Sequence, residues 1–251
     1  LVTERCHQKN RRVVYALKKC ELSMPNVLDF LVEPEGQKIQ VPIGDLVIAA
    51  WTGRDVEALE AHITELEQLG VPRPSSVPCF SRVGQNQFTN HDEIQGFGDT
   101  SSGEVEFVLI GTEEGMLIGV GSDHTDRETE AYSVAISKQA CAKPISRTLW
   151  NYKDVEAHWD RLVLRSFVTI EGDRQLYQEG ELSSMMGIET LINKYSSSFG
   201  KINNNSVMFC GTLAAIGGIR PSNSFEMELF DPTDRLSITH SYDLVSLPNI
   251  T

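Results

Sequence analysis

The chain has 251 residues, 40% of them hydrophobic and 23% charged. This ordinary globular balance supports one sizeable core, or a main domain with a small companion. A formal net charge of −13 argues against non-specific binding to nucleic acid or anionic membrane, and no run is long and apolar enough to cross a bilayer. A small anionic substrate stays open, because a bound cation inverts the local potential.

The five cysteines, Cys6, Cys20, Cys79, Cys141 and Cys210, are odd in number and widely spaced, with no CxxC pair. They read as reduced, mostly buried thiols of a cytoplasmic protein. The chain opens Leu1-Val2-Thr3 without methionine, so a leader or a few residues are expected to precede it.

In chain order, residues 10–19 fit strand and helix equally. Residues 26–32, 38–42 and 44–50 read as strands. Thr52 or Asp55 caps a helix over 56–69, with Val56, Leu59, Ile63, Leu66 and Leu69 at helical spacing and Gly70 as its stop. The proline-rich segment 72–78 reads as a stiff connector. It divides a small N-terminal region, 1–72, from a main domain, 73–251. Residues 84–103, rich in Gly, Asn, Gln, Asp and Thr, read as a loop. Residues 105–110 and 116–120 read as a hairpin around Gly111 to Gly115. A helix is expected over 126–138, its start made acidic by Asp126, Glu128 and Glu130. Beyond it come a short helix at 151–160, a strand at 162–170 with its turn at 171–174, and a helix around 190–195. Strands follow at 206–209, 224–229 and 236–242. The order predicts a β-rich α+β protein rather than alternating βαβ units.

The chemistry concentrates between Gly103 and Lys138. Glu104 and Glu106 alternate with apolar residues and share one strand face, and Asp123, His124, Asp126 and Arg127 follow within short reach. Carboxylates gathered in this way are costly unless a cation neutralises them. Oxygen donors suit a hard ion such as Mg2+, with Mn2+ as the alternative. His124 faces the pocket if it lies in a loop, and points away from Asp123 if it lies on a strand. His91, in Asn90-His91-Asp92-Glu93, is a second candidate general base, and Glu93 could orient it or act in its place. Gly211-Thr212 would let the backbone approach a ligand and offers a hydroxyl. Cys141 and Cys210 lack a visible histidine and carboxylate arrangement for a nucleophile. No GxGxxG or Walker loop predicts a nucleotide cofactor, and Trp150, Tyr152 and Trp159 are too dispersed for a base-stacking platform.

Several stretches, in this order, resemble the fumarylacetoacetate hydrolase superfamily: Glu104-Val105-Glu106, Ser122-Asp123-His124-Thr125-Asp126-Arg127, Ser137-Lys138, Cys210-Gly211-Thr212 and Ser224-Phe225-Glu226-Met227-Glu228. Gly121-Ser122-Asp123-His124-Thr125-Asp126-Arg127, His158-Trp159-Asp160 and Leu176-Tyr177-Gln178-Glu179-Gly180 resemble a poorly characterised, DUF2848-like branch. The resemblance implies a mixed β-roll with peripheral helices, assembled as a homodimer. It implies Glu104, Glu106 and Asp123 as metal ligands, Arg127 beside them, Lys138 over the substrate, and Gly211 and Thr212 in a late loop closing on it. The activity implied is metal-dependent hydrolysis of a carbon–carbon bond in a small acidic 1,3-dicarbonyl or 2-oxo acid. Decarboxylation or keto–enol tautomerisation of a 2-oxo acid needs the same polarised carbonyl. A noncatalytic small-molecule binding protein is the reading from a different class. The spacings from Glu106 to Asp123 and from Asp123 to Lys138 are shorter than in better-known members.

Overall fold

In a computed structural model, residues 26–68 and 73–248 are described. The ambiguous 10–19 segment, Leu69, Gly70, Cys6 and Cys20 lie outside them. Strands β1 (Asn26–Glu33), β2 (Gln37–Ile43) and β3 (Asp45–Ala50) open the chain, followed by helix α1 (Val56–Gln68). Asp55 caps that helix, its Oδ1 accepting the N–H groups of Glu57 and Ala58 at 3.0 Å each. Within its stripe Ile63 is buried, while Val56 is exposed.

Then come β4 (Cys79–Val83), β5 (Phe88–Thr89), β6 (Glu93–Phe97), β7 (Ser101–Ser102), β8 (Val105–Gly111), β9 (Met116–Ser122) and β10 (Thr125–Asp126). Segment 84–103 is therefore not one loop. Its polar composition hides β6, which pairs in parallel with a strand some 150 residues later and buries Ile94 and Gly96 alone. The expected helix over 126–138 is two helices, α2 (Arg127–Tyr132) and α3 (Val134–Ala140), parted by Ser133 in an extended conformation. Asp126 does not belong to the helix but caps it, accepting from the Thr129 N–H at 2.7 Å.

The rest of the chain forms β11 (Lys143–Pro144), β12 (Thr148–Asn151), α4 (Tyr152–Val155), β13 (Val163–Ile170), β14 (Asp173–Glu181), α5 (Ile188–Phe199), β15 (Ser206–Thr212), β16 (Ser224–Asp231) and β17 (Leu236–Leu247). Strand β14 was not expected, because four exposed positions open it before Tyr177 and Gln178 turn inward together at a bulge against β13.

Eight strands build one mixed sheet in the order β2-β1-β12-β9-β8-β15-β3-β4, and five build a second in the order β14-β13-β16-β17-β6. Strands β1 to β3, which precede the connector at 72–78, lie in the same sheet as β8, β9, β12 and β15, which follow it. Strand β8 is buried along its whole length. Its odd positions, Val105, Phe107 and Leu109, join Leu164, Met227, Ile238 and Tyr242 of the five-stranded sheet in one core. Val108 and Ile110 pack on the opposite face with Phe30, Leu46 and Phe209. The helices stand at the periphery of this β-rich α+β fold. No helix among the described residues is long and apolar enough to cross a membrane.

Candidate metal centre

The site grows from the start of the β8–β9 hairpin. Glu106 lies opposite Gly121, and Val105 opposite Ser122. Glu104 precedes β8, and Asp123 follows β9. The Asp123 N–H donates to the Glu104 carbonyl at 3.0 Å, so the hairpin register sets the third acid beside the first two. Glu104, Glu106 and Asp123 each bring one carboxylate oxygen within 4.8 Å of the others.

Three cations surround them. Arg127 donates to Glu104 Oε1 at 2.9 Å, Glu130 Oε2 at 2.7 Å and Ser102 Oγ at 2.7 Å. Lys138 Nζ lies 2.7 Å from Asp123 Oδ2, 3.0 Å from Glu104 Oε2 and 3.0 Å from Thr125 Oγ1. Lys143, fully buried, donates to the His124 carbonyl at 2.7 Å. Its ammonium is also 3.0 Å from Asp123 Oδ1, but the direction is poor and that buried oxygen is left without a hydrogen bond.

Burial, then the charges of Asp123 and Glu104, hold the Glu106 carboxyl well above the usual carboxylate range, although the Gly211 N–H donates to its Oε2 at 2.7 Å. Burial pushes Asp123 upward too, but Lys138 and Lys143 outweigh it and bring the group below its ordinary value. Burial opposes the charge on Lys138 and Arg127, yet their carboxylate partners raise both. Among the described residues, the cations paired with Glu104, Asp123 and Glu130 are Arg127, Lys138 and Lys143.

This donor set fits a hard divalent cation. All the converging atoms are carboxylate oxygens, Glu106 and Asp123 are buried, and a cation would relieve the mutual repulsion on Glu106. Zinc would draw on histidine or cysteine, and the nearest histidine is committed elsewhere. His124 places Nδ1 2.9 Å from Tyr242 Oη and Nε2 2.9 Å from Ser101 Oγ. Because Tyr242 donates to Ser122 at 2.9 Å, the neutral ring donates from Nδ1 and accepts at Nε2. Burial first, then Lys143 and Arg127, push its pKa down to about 3.

The other expected residues divide into two groups. Gly211 and Thr212 adjoin the acids. Gly211 has φ +95°, and a Cβ there would fall 1.8 Å from Thr52 Oγ1, so glycine is required where its N–H meets Glu106. The register shift between Phe209 and Thr212 belongs to the same feature. Thr212 Oγ1 donates to the Val105 carbonyl at 2.8 Å. His91 and Glu93 are exposed, and among the described residues neither has a hydrogen bond or ion pair with the three acids. The His91 carbonyl accepts from His240 Nε2 at 3.2 Å, and Asp92 pairs with Arg147 at 2.9 Å.

Lys143, Glu130 and Gln178 were missed. Lys143 stands alone among Cys141, Ala142, Pro144 and Ile145, and a lone lysine in an apolar run was the available signal. Gln178 lies within the Leu176–Gly180 stretch. Its Oε1 accepts from the Val105 N–H at 3.0 Å and from Ser166 at 2.9 Å, and its Nε2 donates to Thr212 Oγ1 at 2.8 Å and to the Leu213 carbonyl at 2.6 Å. The residue between the two glutamates is therefore tied to the strand that carries Gly211.

The fold is that of fumarylacetoacetate hydrolase family structures. A fumarylpyruvate hydrolase from Pseudomonas aeruginosa, solved with Mn2+ and pyruvate, is 14% identical, with a TM-score of 0.62 over 90% of this chain and 99% of that one. A candidate fumarylacetoacetate isomerase/hydrolase from Oleispira antarctica is 20% identical, with a TM-score of 0.64 over 87% of this chain and 100% of that one. A 2-keto-3-deoxyarabinonate dehydratase is 12% identical, with a TM-score of 0.61 over 83% and 77%. No curated protein matches the chain in sequence. Residues 49–242 match the family described as Protein of unknown function (DUF2848), and the chain belongs to that family.

Proposed function

We propose that this chain is a divalent-metal-dependent enzyme that hydrolyses a carbon–carbon bond in a small acidic 1,3-dicarbonyl or 2-oxo acid. The observation that carries the reading is the convergence of Glu104, Glu106 and Asp123 in a buried site, where their mutual repulsion raises Glu106. The substrate class draws support from the fumarylpyruvate hydrolase among the similar folds, and the metal from the Mn2+ in that structure. Glu104, Glu106 and Asp123 would hold Mg2+ or Mn2+. Once bound, the ion would polarise a carbonyl and favour the enolate that carbon–carbon cleavage needs.

The chain's own residues have separable parts in this reading. Arg127 orients Glu104, and its Nη2, buried without a partner, is the donor left for a substrate carboxylate. Gly211 fixes Glu106 through its N–H, and Gln178 and Thr212 fix the strand between the glutamates. Water activation falls to His91, with Glu93 as its alternate, rather than to His124, whose ring nitrogens both have partners. Homodimeric assembly and a cytoplasmic location belong to the same reading. The exposed position of His91 favours decarboxylation of a 2-oxo acid as the second reading, because that reaction needs no activated water.

The test is to strip the purified chain of metal, reload it with Mg2+, Mn2+ or Zn2+, and follow acylpyruvates and oxaloacetate by NMR. Carboxylate products from an acylpyruvate that depend on Mg2+ or Mn2+ are expected. Carbon dioxide release from oxaloacetate alone would select decarboxylation. Absence of turnover across the panel from protein with one ion bound per chain would overturn the enzymatic reading.

A further inference from the structure

Lys138 lies near the end of α3, with 5% of its surface exposed. An ammonium has three N–H groups and no acceptor. Three oxygens stand within 3.0 Å of this one: Asp123 Oδ2, Glu104 Oε2 and Thr125 Oγ1. Two of them belong to two of the three candidate metal ligands. No N–H remains for a substrate while this arrangement holds, so Lys138 as found is an internal counter-ion. A divalent ion on the same carboxylates would stand within a few ångströms of the ammonium, where two cations repel strongly in a buried site.

The neighbouring lysine is held differently. Lys143 is fully buried, bonded to the His124 carbonyl and close to Asp123 Oδ1. No carboxylate other than Asp123 is within ion-pair distance of it among the described residues. Lys138 has an alternative partner farther out. Glu130 Oε1 is 3.7 Å away, and its side chain is 28% exposed. The flexible four-carbon stem of lysine permits the transfer.

We infer that Lys138 is a tethered cation that occupies carboxylate oxygens of the metal site, and that a bound divalent ion displaces it toward Glu130. Lys138 then sets how tightly the site takes metal, and only its displaced ammonium is free to meet an anionic substrate. The inference rests on Glu104, Glu106 and Asp123 being the metal ligands.

The test uses Mn2+ alone and needs no substrate. Calorimetry compares the full chain with Lys138→Met, folding of the variant being checked by circular dichroism. Binding on the order of 10-fold tighter is expected in the variant, the scale on which neighbours of ligands tune metal affinity. A second measurement needs no variant: amine acylation of the wild-type chain followed by peptide mass spectrometry. Lys138 should be protected without metal and acylated at least several-fold faster with Mn2+ bound, while Lys143 stays protected in both states. Binding by Lys138→Met alone would also support the inference. Equal or weaker binding by the folded variant, or equal protection of Lys138 with Mn2+ bound to the wild type, would overturn it and leave the metal centre standing. Absence of Mn2+ binding by both proteins would remove the metal centre and this inference together.

Discussion

Among the described residues, two groups of side chains bring three potential ligands within 4.8 Å of one another: Glu104, Glu106 and Asp123, and His158, Asp231 and Asp234. They differ in what is left unmet. In the second group His158 Nε2, from the segment 156–161, is 2.7 Å from Asp231 Oδ2, and the Thr233 N–H of the turn from β16 to β17 donates to Oδ1 at 2.8 Å. Asp234 is exposed. Each Asp231 oxygen has a partner, and the group reads as a brace that ties the turn to His158. In the first group, acids from two strand ends meet in the interior, Asp123 Oδ1 has no hydrogen bond, and Glu106 is held well above its ordinary pKa. Proximity alone does not separate the two; the repulsion among three converging carboxylates, which raises the buried Glu106, does.

The comparison can be broken by substitution. The largest effect is expected for Glu106→Gln, which should lower Mn2+ affinity by more than about 100-fold, beyond the loss typical of residues that merely support ligands. Titration calorimetry checks it. Asp231→Asn should leave metal affinity unchanged, and a parallel loss there would erase the distinction. Gly211→Ala comes next. A Cβ 1.8 Å from Thr52 Oγ1 at φ +95° should cost about 2–4 kcal/mol in urea unfolding and displace the N–H that holds Glu106. Gln178→Leu removes partners from the buried Val105 N–H and the Leu213 carbonyl. About 2–3 kcal/mol of stability should be lost, with metal affinity about 10-fold weaker; retention of both would show that Gln178 does not position the glutamates.

The smallest effect lies in the second group and depends on pH. Burial pushes the Asp231 carboxyl upward, but His158 and the Thr233 N–H outweigh it and hold the group below its ordinary value. Its contribution to stability is therefore complete above about pH 4 and is lost as pH falls through the lower folded value. Asp231→Asn should be about 1–2 kcal/mol less stable than wild type at pH 7. That gap should close on acidification, as read by unfolding curves from pH 7 to pH 3. A gap that stays constant would contradict the pairing.

The sequence made one half of this contrast legible. Alternation of Glu104 and Glu106 with Val105 and Phe107, followed by the turn-rich Gly111–Gly115, was enough to place both acids on one strand face of a hairpin and Asp123 near its end. Strands β13, β16 and β17, whose burial alternates, and β8 and β9, largely apolar runs bounded by turns, could be read locally. Strand β6 could not, because among the described residues its pairing partner is distant in sequence, and it is short and set in a polar, turn-rich stretch. Ser133 parting α2 from α3 had no breaker residue to announce it. Lys143 escaped notice because it reaches Asp123 from β11, two residues long and paired with β5 rather than with the hairpin that carries the acids. For His124 the sequence leaves both orientations open; the residue lies outside a strand, yet its ring meets Tyr242 and Ser101. What decides its surroundings is Tyr242, 118 positions later, and no local pattern carries that information.

The central claim is that Glu104, Glu106 and Asp123 form a divalent-metal site and that His158, Asp231 and Asp234 do not. Calorimetric titration of the metal-stripped chain with Mn2+, run side by side on wild type, Glu106→Gln and Asp231→Asn, tests it most directly. One ion per chain in the wild type and in Asp231→Asn, lost in Glu106→Gln, is the predicted result. Undiminished binding by Glu106→Gln, or loss of binding in Asp231→Asn, would contradict it.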